Sequence, residues 1–223
     1  MDDRCLIMAS ETTYPPLVNP VAVVSRKFCM PNVVELVVAR KHAAIPGGGL
    51  LVTDVSGNIV FRVKGSSVSI HEHLILNDAA SNAVVSLQQK ILTAHRRWQA
   101  YSGDSSCPDN LIFMAKKSSL MRIHGTEIDV FLAANTREDA CDFKVKGNWL
   151  ERSCTIYAGH GTIVIAQMHK DHKAQNIALG KDTFGITVYP NVDYALIVAL
   201  VVILEEINED TFAGKHSFSC SHP

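Results

Sequence analysis

The chain has almost no imbalance of charge. Its 21 Lys and Arg stand against 22 Asp and Glu, a formal net charge of −1. No strong global field therefore draws it to nucleic acid or to an anionic surface, and any such contact must come from a local patch. No C-x-x-C pair occurs among Cys5, Cys29, Cys107, Cys141, Cys154 and Cys220. Cysteines scattered in this way read as reduced thiols of a cytosolic or nuclear protein rather than as a disulfide framework. The absence of any N-x-S/T sequon agrees. The start, Met1-Asp2-Asp3-Arg4-Cys5, is acidic and lacks the basic n-region and long apolar stretch of a signal peptide, and Met8 stands as an alternative first residue. Long amphipathic helical patterns and internal repeats are also missing. What is present is 47% apolar residues and 19% charged in 223 residues, enough to bury a sizeable core as one large domain.

Residues 1–17 read as a flexible leader, and Pro15, Pro16, Pro20 and Pro31 mark extended chain, with room for one short strand at 21–24. From residue 33 onward, short β-branched runs alternate with turn signals. Strands are expected at 33–40, 50–55, 59–64, 67–70, 73–76, 84–89, 91–101, 111–116, 127–132, 153–157, 163–169 and 184–189, with a further one around Phe143 and Val145. Ser56-Gly57-Asn58 marks a hairpin turn. Beyond it Phe61 and Val63 alternate with Arg62 and Lys64, one buried face and one wet. About a dozen strands with so few crossovers point to an antiparallel meander that closes on itself. The stretch 102–110 reads as a long exposed loop and 211–223 as a disordered polar tail.

One segment decides the architecture. Tyr194 to Leu204 reads Tyr-Ala-Leu-Ile-Val-Ala-Leu-Val-Val-Ile-Leu, without a polar break. As a helix it spans only about 16 Å at about 1.5 Å per residue, whereas a bilayer core needs about 30 Å. Asp193 and Glu205-Glu206 cut it off, so no transmembrane span is expected. It exceeds a typical strand in length and lacks alternation, so helix is the better reading. A helix apolar all round must be enclosed. The expected fold is a mainly β, closed antiparallel barrel around a buried C-terminal helix at about 191–207. Its core would be Tyr194, Leu196, Ile197, Val198, Leu200, Val201, Val202, Ile203 and Leu204. Asn191 suits the N-cap, with Asp193 complementing the helix dipole. The Glu205-Glu206 pair does not suit a helix C-terminus: either the helix continues past Ile207, or the pair sits in solvent at the barrel mouth.

Several motifs match a known family. Thr53-Asp54-Val55-Ser56-Gly57-Asn58, His95-x-Arg97-Trp98, Asp129-Val130-Phe131-Leu132, Cys141-Asp142-Phe143 with Val145-Lys146-Gly147, Trp149-Leu150-Glu151-Arg152-Ser153-Cys154, and Tyr189-Pro190-Asn191-Val192-Asp193-Tyr194-Ala195 carry it. Across about residues 18 to 210 the chain resembles the plant LURP-one-related family. The resemblance implies a barrel of twelve strands around a central hydrophobic helix, similar to the tubby C-terminal domain and to phospholipid scramblases. It implies no enzyme chemistry and no cofactor. Founding members are implicated in plant defence. The fold relatives imply tethering at a membrane, phosphoinositide binding and release to the nucleus as a transcription regulator, an analogy of fold and not of residues.

A lipid site needs several cations converging on one patch. The densest basic groups give Arg97, Lys116, Lys117, Arg122, Arg40 and Lys41 as candidates, with Arg26-Lys27 and Arg96 beside them, against the plainer reading that these are solvated strand ends. Within 91–101, Arg96 shares parity with Trp98 and Arg97 with Gln99, which makes Arg97 the better surface candidate. His71 with His73, and His169 with His172, lack the further ligands of a metal site. Cys154 with His160 is the one tempting nucleophile pair, but a cysteine within a strand reads as buried and structural. Gly47-Gly48-Gly49 precedes a strand rather than a helix, so it is no dinucleotide loop. The partners expected are anionic lipid at a membrane surface, or proteins docking on the barrel wall or the 102–110 loop. His95-Arg96-Arg97-Trp98 mixes basic and aromatic residues, yet with a pI near neutrality direct nucleic-acid binding is not expected.

Overall fold

The computed structural model describes residues 19–41, 49–65, 73–90, 97–118, 125–159, 161, 163–170 and 183–216. Twelve strands follow one another in the chain: β1 (Val34–Lys41), β2 (Gly49–Asp54), β3 (Ile59–Gly65), β4 (His73–Asp78), β5 (Ala83–Lys90), β6 (Arg97–Ser102), β7 (Leu111–Lys117), β8 (Thr126–Leu132), β9 (Phe143–Asn148), β10 (Ser153–Ala158), β11 (Ile163–Lys170) and β12 (Thr183–Val188). Each pairs antiparallel with its neighbours in sequence, and β1 closes on β12 with Val34 opposite Val188 and Val38 opposite Phe184. Closure leaves no strand edge. The expected barrel is thus the observed one. Of the expected strands, 67–70 lies outside the described residues. That at 91–101 is shorter, starting at Arg97, with 91–96 outside the description. At 21–24 there is a single bridge, Val21 to Val192, followed by a 3₁₀ turn at Arg26–Phe28.

The helix α1 (Tyr194–His216) fills the barrel. Every residue from Ala195 to Leu204 is buried, which requires cover on all faces. Inward side chains of the strands supply it, among them Phe61, Trp98, Phe113, Ile156 and Phe184, all essentially inaccessible. Tyr194 is only half-buried; its ring centroid lies 5.2 Å from that of Phe28 and 5.7 Å from that of Phe61. This places the start of α1 at the end where β3 begins, here termed the base. The opposite end, where odd-numbered strands finish, is the rim.

The helix start differs from expectation. Asn191 is not the N-cap; it has φ +64°, donates its N–H to the Met30 carbonyl and accepts from Val21. Asp193 is the cap. Its Oδ1 accepts from Ala195 and Leu196 N–H at 3.0 and 3.3 Å, and its Oδ2 from Val23, Val24 and Ser25 N–H at 3.1, 2.7 and 2.9 Å. A fully buried carboxylate is thereby satisfied by five donors. It also ties the segment before β1 across the base, where Phe28 is buried. The helix begins at Tyr194, not 191, and runs on to His216, through the start of the stretch expected to be tail. Of the two alternatives for Glu205-Glu206, continuation is the one found.

Two base turns share one design. In β2–β3, Asp54 Oδ1 accepts from Ser56 and Asn58 N–H, and Asn58 Nδ2 donates to Oδ2. In β4–β5, Asp78 and Asn82 repeat the Asp–Asn pairing. The left-handed position is Gly57 in the first and Ser81 (φ +68°) in the second. The loop 102–110 is mostly exposed but tied to β5: Gly103 N–H donates to the Val84 carbonyl, and the Ser86 hydroxyl on the outer wall donates to the Ser105 carbonyl.

Val198→Asp would place an unpaired charge where the wild-type side chain is 1% exposed, and the cost exceeds the stability of a typical domain's margin. The expected result is insoluble or unfolded protein by circular dichroism; a soluble variant with a normal melt would contradict an enclosed helix. Asp193→Ala removes the cap and orphans the strap donors, an expected loss of about 2 kcal/mol or more in urea titration.

Candidate functional site

Charge in this barrel is sorted by strand direction. Each odd-numbered strand runs from base to rim and carries a lysine at or near its end: Lys41, Lys64, Lys90, Lys116 with Lys117, Lys146 and Lys170. Lys64, Lys90, Lys146 and Lys170 are exposed. Arg40, Arg97 and Arg152 stand at the same end. The base turns instead carry Asp54, Asp78, Asp104, Asp109, Asp139 and Asp142, with Arg26, Lys27 and Arg137 as their basic company. Among the described rim carboxylates Glu151, in the β9–β10 turn, is exposed, and others are engaged. Glu127 and Asp129 both bind Lys144, each at 2.9 Å, and Glu205 lies between two arginines. Among the described residues the near-neutral total therefore conceals an excess of cations at the rim.

Two clusters at the rim each hold one carboxylate between two cations. In the mouth, Glu205 on α1 is 3% exposed; its Oε2 accepts from Arg40 Nη2 at 2.6 Å and its Oε1 from Arg152 Nη1 at 3.1 Å. Arg152 takes φ +52° in the β9–β10 turn, and its guanidinium lies 4.2 Å from the Trp149 ring centroid and 4.5 Å from that of Phe184. Burial pushes the Glu205 carboxyl above its usual range, although both guanidiniums oppose the shift.

On the outer wall, Glu138 is the shared anion. Arg97 grips it as a fork, Nη1 to Oε1 and Nη2 to Oε2 (3.2 Å), and Lys116 Nζ reaches Oε2 at 2.7 Å. Lys116 also lies 4.5 Å from the centroid of Phe131, an outward residue that is nonetheless buried. The connection from β8 to β9 thus folds back over the wall. Burial acts to raise the Glu138 carboxyl, but hydrogen bonds from Arg97 and Lys116 prevail and hold it below the usual value.

Among the candidate lipid residues, Arg97 and Lys116 come together, with Lys117 next to them at the end of β7. Arg40 stands across the barrel, turned toward the mouth. The Lys41 side chain and Arg122 lie outside the description, as do Arg96, His71, His160 and His172. Of the four whose side chains are described, Arg40 stands apart from Arg97, Lys116 and Lys117. Parity had Arg97 outward and Trp98 inward, and both are so placed. The contacts of Arg152, Glu138 and Glu205 leave no local signal in the sequence, because each joins residues at least 22 apart. Cys154 is 1% exposed and burial pushes its thiol up to about 11, the inert state expected. His169 meets Thr187 at 3.2 Å, and among the described residues no group of three or more His, Cys, Asp or Glu is placed to hold a metal.

The Glu205 shift has a sign that can be measured. A carboxyl whose folded value is raised holds its proton more tightly when folded, so its contribution to stability grows as pH falls through the folded value. It levels off below the unfolded value of about 4.3. Wild type should gain melting temperature relative to Glu205→Gln on acidification across that window. The reverse slope would mean that the two arginines outweigh burial.

The description LURP-one-related belongs to a family model that matches residues 34–205. Protein LURP-one-related 15 of Arabidopsis thaliana is 44% identical over 192 residues, covering 86% of this chain and 88% of that relative. Protein LURP-one-related 10 of the same plant is 44% identical over 189 residues, covering 85% and 97%. An X-ray structure of an Arabidopsis thaliana protein superimposes with a TM-score of 0.66 at 38% identity, covering 84% of this chain and 98% of that one. Motifs, barrel and these likenesses agree, and the chain belongs to the LURP-one-related family.

Proposed function

We propose that this chain is a non-enzymatic regulatory module that docks peripherally on anionic membrane lipid through its rim and acts in plant defence or stress signalling. The observation that supports docking is the gathering of strand-end lysines at one end of a closed barrel whose opposite turns are acidic. A cation near an anionic leaflet contributes about 1 kcal/mol within a Debye length of about 8–10 Å. A ring of them orients the molecule rim-down, whatever its net charge. The resemblance to tubby-like domains supplies the signalling context, with the protein cytoplasmic, held at the plasma membrane and released to the nucleus. Lipid scrambling has less support: no helix among the described residues is long and apolar enough to cross a membrane, and the apolar part of α1 is already enclosed.

Co-sedimentation with phosphatidylserine vesicles across a salt series tests this. Binding should be strongest at low salt and fade as salt rises. Charge reversal of Lys64, Lys90, Lys146 and Lys170 to Glu should weaken it by about fivefold or more per site, from about 1 kcal/mol each. Reversal of Arg26 and Lys27 at the base should leave it unchanged. A folded protein that ignores such vesicles at low salt is instead a protein-interaction scaffold without lipid affinity.

A further inference from the structure

Of the two carboxylates held by paired cations, one is fixed and one can leave. Glu205 belongs to the enclosed helix. Glu138 belongs to a surface connection, with its side chain 17% exposed between Arg97 at 29% and Lys116 at 25%. Its backbone is in the left-handed region, φ +52°, a conformation that costs a non-glycine residue free energy. The Asn135 side chain holds that turn, accepting from Glu138 N–H at 3.2 Å and donating to the Ala140 carbonyl and Asp142, each at 2.8 Å. The bond from Glu138 N–H is the one a displaced turn gives up, while those to Ala140 and Asp142 lie beyond it. An arginine fork with a lysine beside it is also how proteins hold phosphate, the fork matching two oxygens and the ammonium serving as a point charge. Both cations stand at the rim, and Lys90 lies opposite Arg97 across the β5–β6 ladder.

We infer that Arg97 and Lys116 form a phosphomonoester site that the chain's own Glu138 carboxylate occupies in the unliganded protein. A phosphomonoester dianion displaces Glu138, releases the turn around it and takes the same fork. The inference rests on the rim-down reading and extends it: the lysines give general attraction to anionic lipid, and the Glu138 site selects phosphorylated headgroups once engaged. The resident carboxylate then acts as a gate that lowers affinity for weaker anions.

Glu138→Gln keeps shape and removes the charge. With soluble inositol trisphosphate as probe, this variant should bind about tenfold more tightly than wild type by calorimetry. Adding Arg97→Met to it should abolish the gain. Hydrogen exchange supplies a second readout: trisphosphate should speed exchange at Glu138 N–H and its neighbours in wild type, since the ligand expels the turn. If Glu138→Gln shows no gain and only a lower melting temperature, the contact is a structural ion pair and the inference fails. Vesicles separate the ligand's sources. A gain repeated on phosphatidylcholine vesicles carrying phosphoinositide, but not on phosphatidylserine vesicles of equal charge, supports a lipid headgroup. A gain with the soluble probe alone assigns the site to a free phosphomonoester. Phosphatidylserine binding that depends on the rim lysines, without any Glu138→Gln gain, leaves the docking reading intact while overturning this one.

Discussion

A helix with ten successive buried residues, Ala195 to Leu204, has no face that water can wet, and covering it is the constraint on which this fold depends. A single sheet covers one side of a helix; only a sheet wrapped through a full turn covers all of them. Twelve short strands are enough to do so, and joining β1 to β12 removes the exposed edges an open sheet would present. The two ends of the helix then need polar closure. At the base Asp193 supplies it, satisfying both the first helical N–H groups and the strap beneath. At the rim Glu205 supplies it, drawing Arg40 from β1 and Arg152 from the β9–β10 turn onto the helix.

Closure also explains the charge pattern. An up-and-down barrel reverses direction at every hairpin, so a residue type placed at the end of every odd strand arrives at one end of the molecule. Lysines so placed are scattered along the sequence and gathered in space. Among the described residues topology gathers cations at the rim, and the tight turns of the base gather Asp, which caps its own turn. Asp54 and Asp78 are thus structural acids in the first instance, and electrostatic counterweights as a consequence.

How much of this was legible in the residues depends on range. The strands and enclosed helix were, because alternation such as Phe61 and Val63 against Arg62 and Lys64 is local, and an unbroken apolar run is visible by eye. Arg97 was placed outward by parity with Gln99 for the same reason. Asn191 and Asp193 both suit the cap position by residue type. What decided for Asp193 was a set of strap amides about 170 residues away. The pairing of Arg97 with Glu138, and of Arg40 with Glu205, is set by barrel register and by a connection folding back on the wall, neither of which leaves a periodic trace. Basic residues stand out in the sequence as adjacent pairs, whereas the structure groups cations by strand direction.

The order of elements along the chain carries a consequence for how the protein comes into being. Every wall strand precedes α1, and the last strand, β12, must find β1 about 150 residues upstream. During synthesis the wall therefore emerges with its inner apolar face unfilled, and the segment that fills it leaves the ribosome after all twelve strands. The nascent chain is a sheet without a core, exposed for as long as elongation takes at about 5–20 residues per second. Closure of the wall around a filled core therefore waits until α1 has emerged.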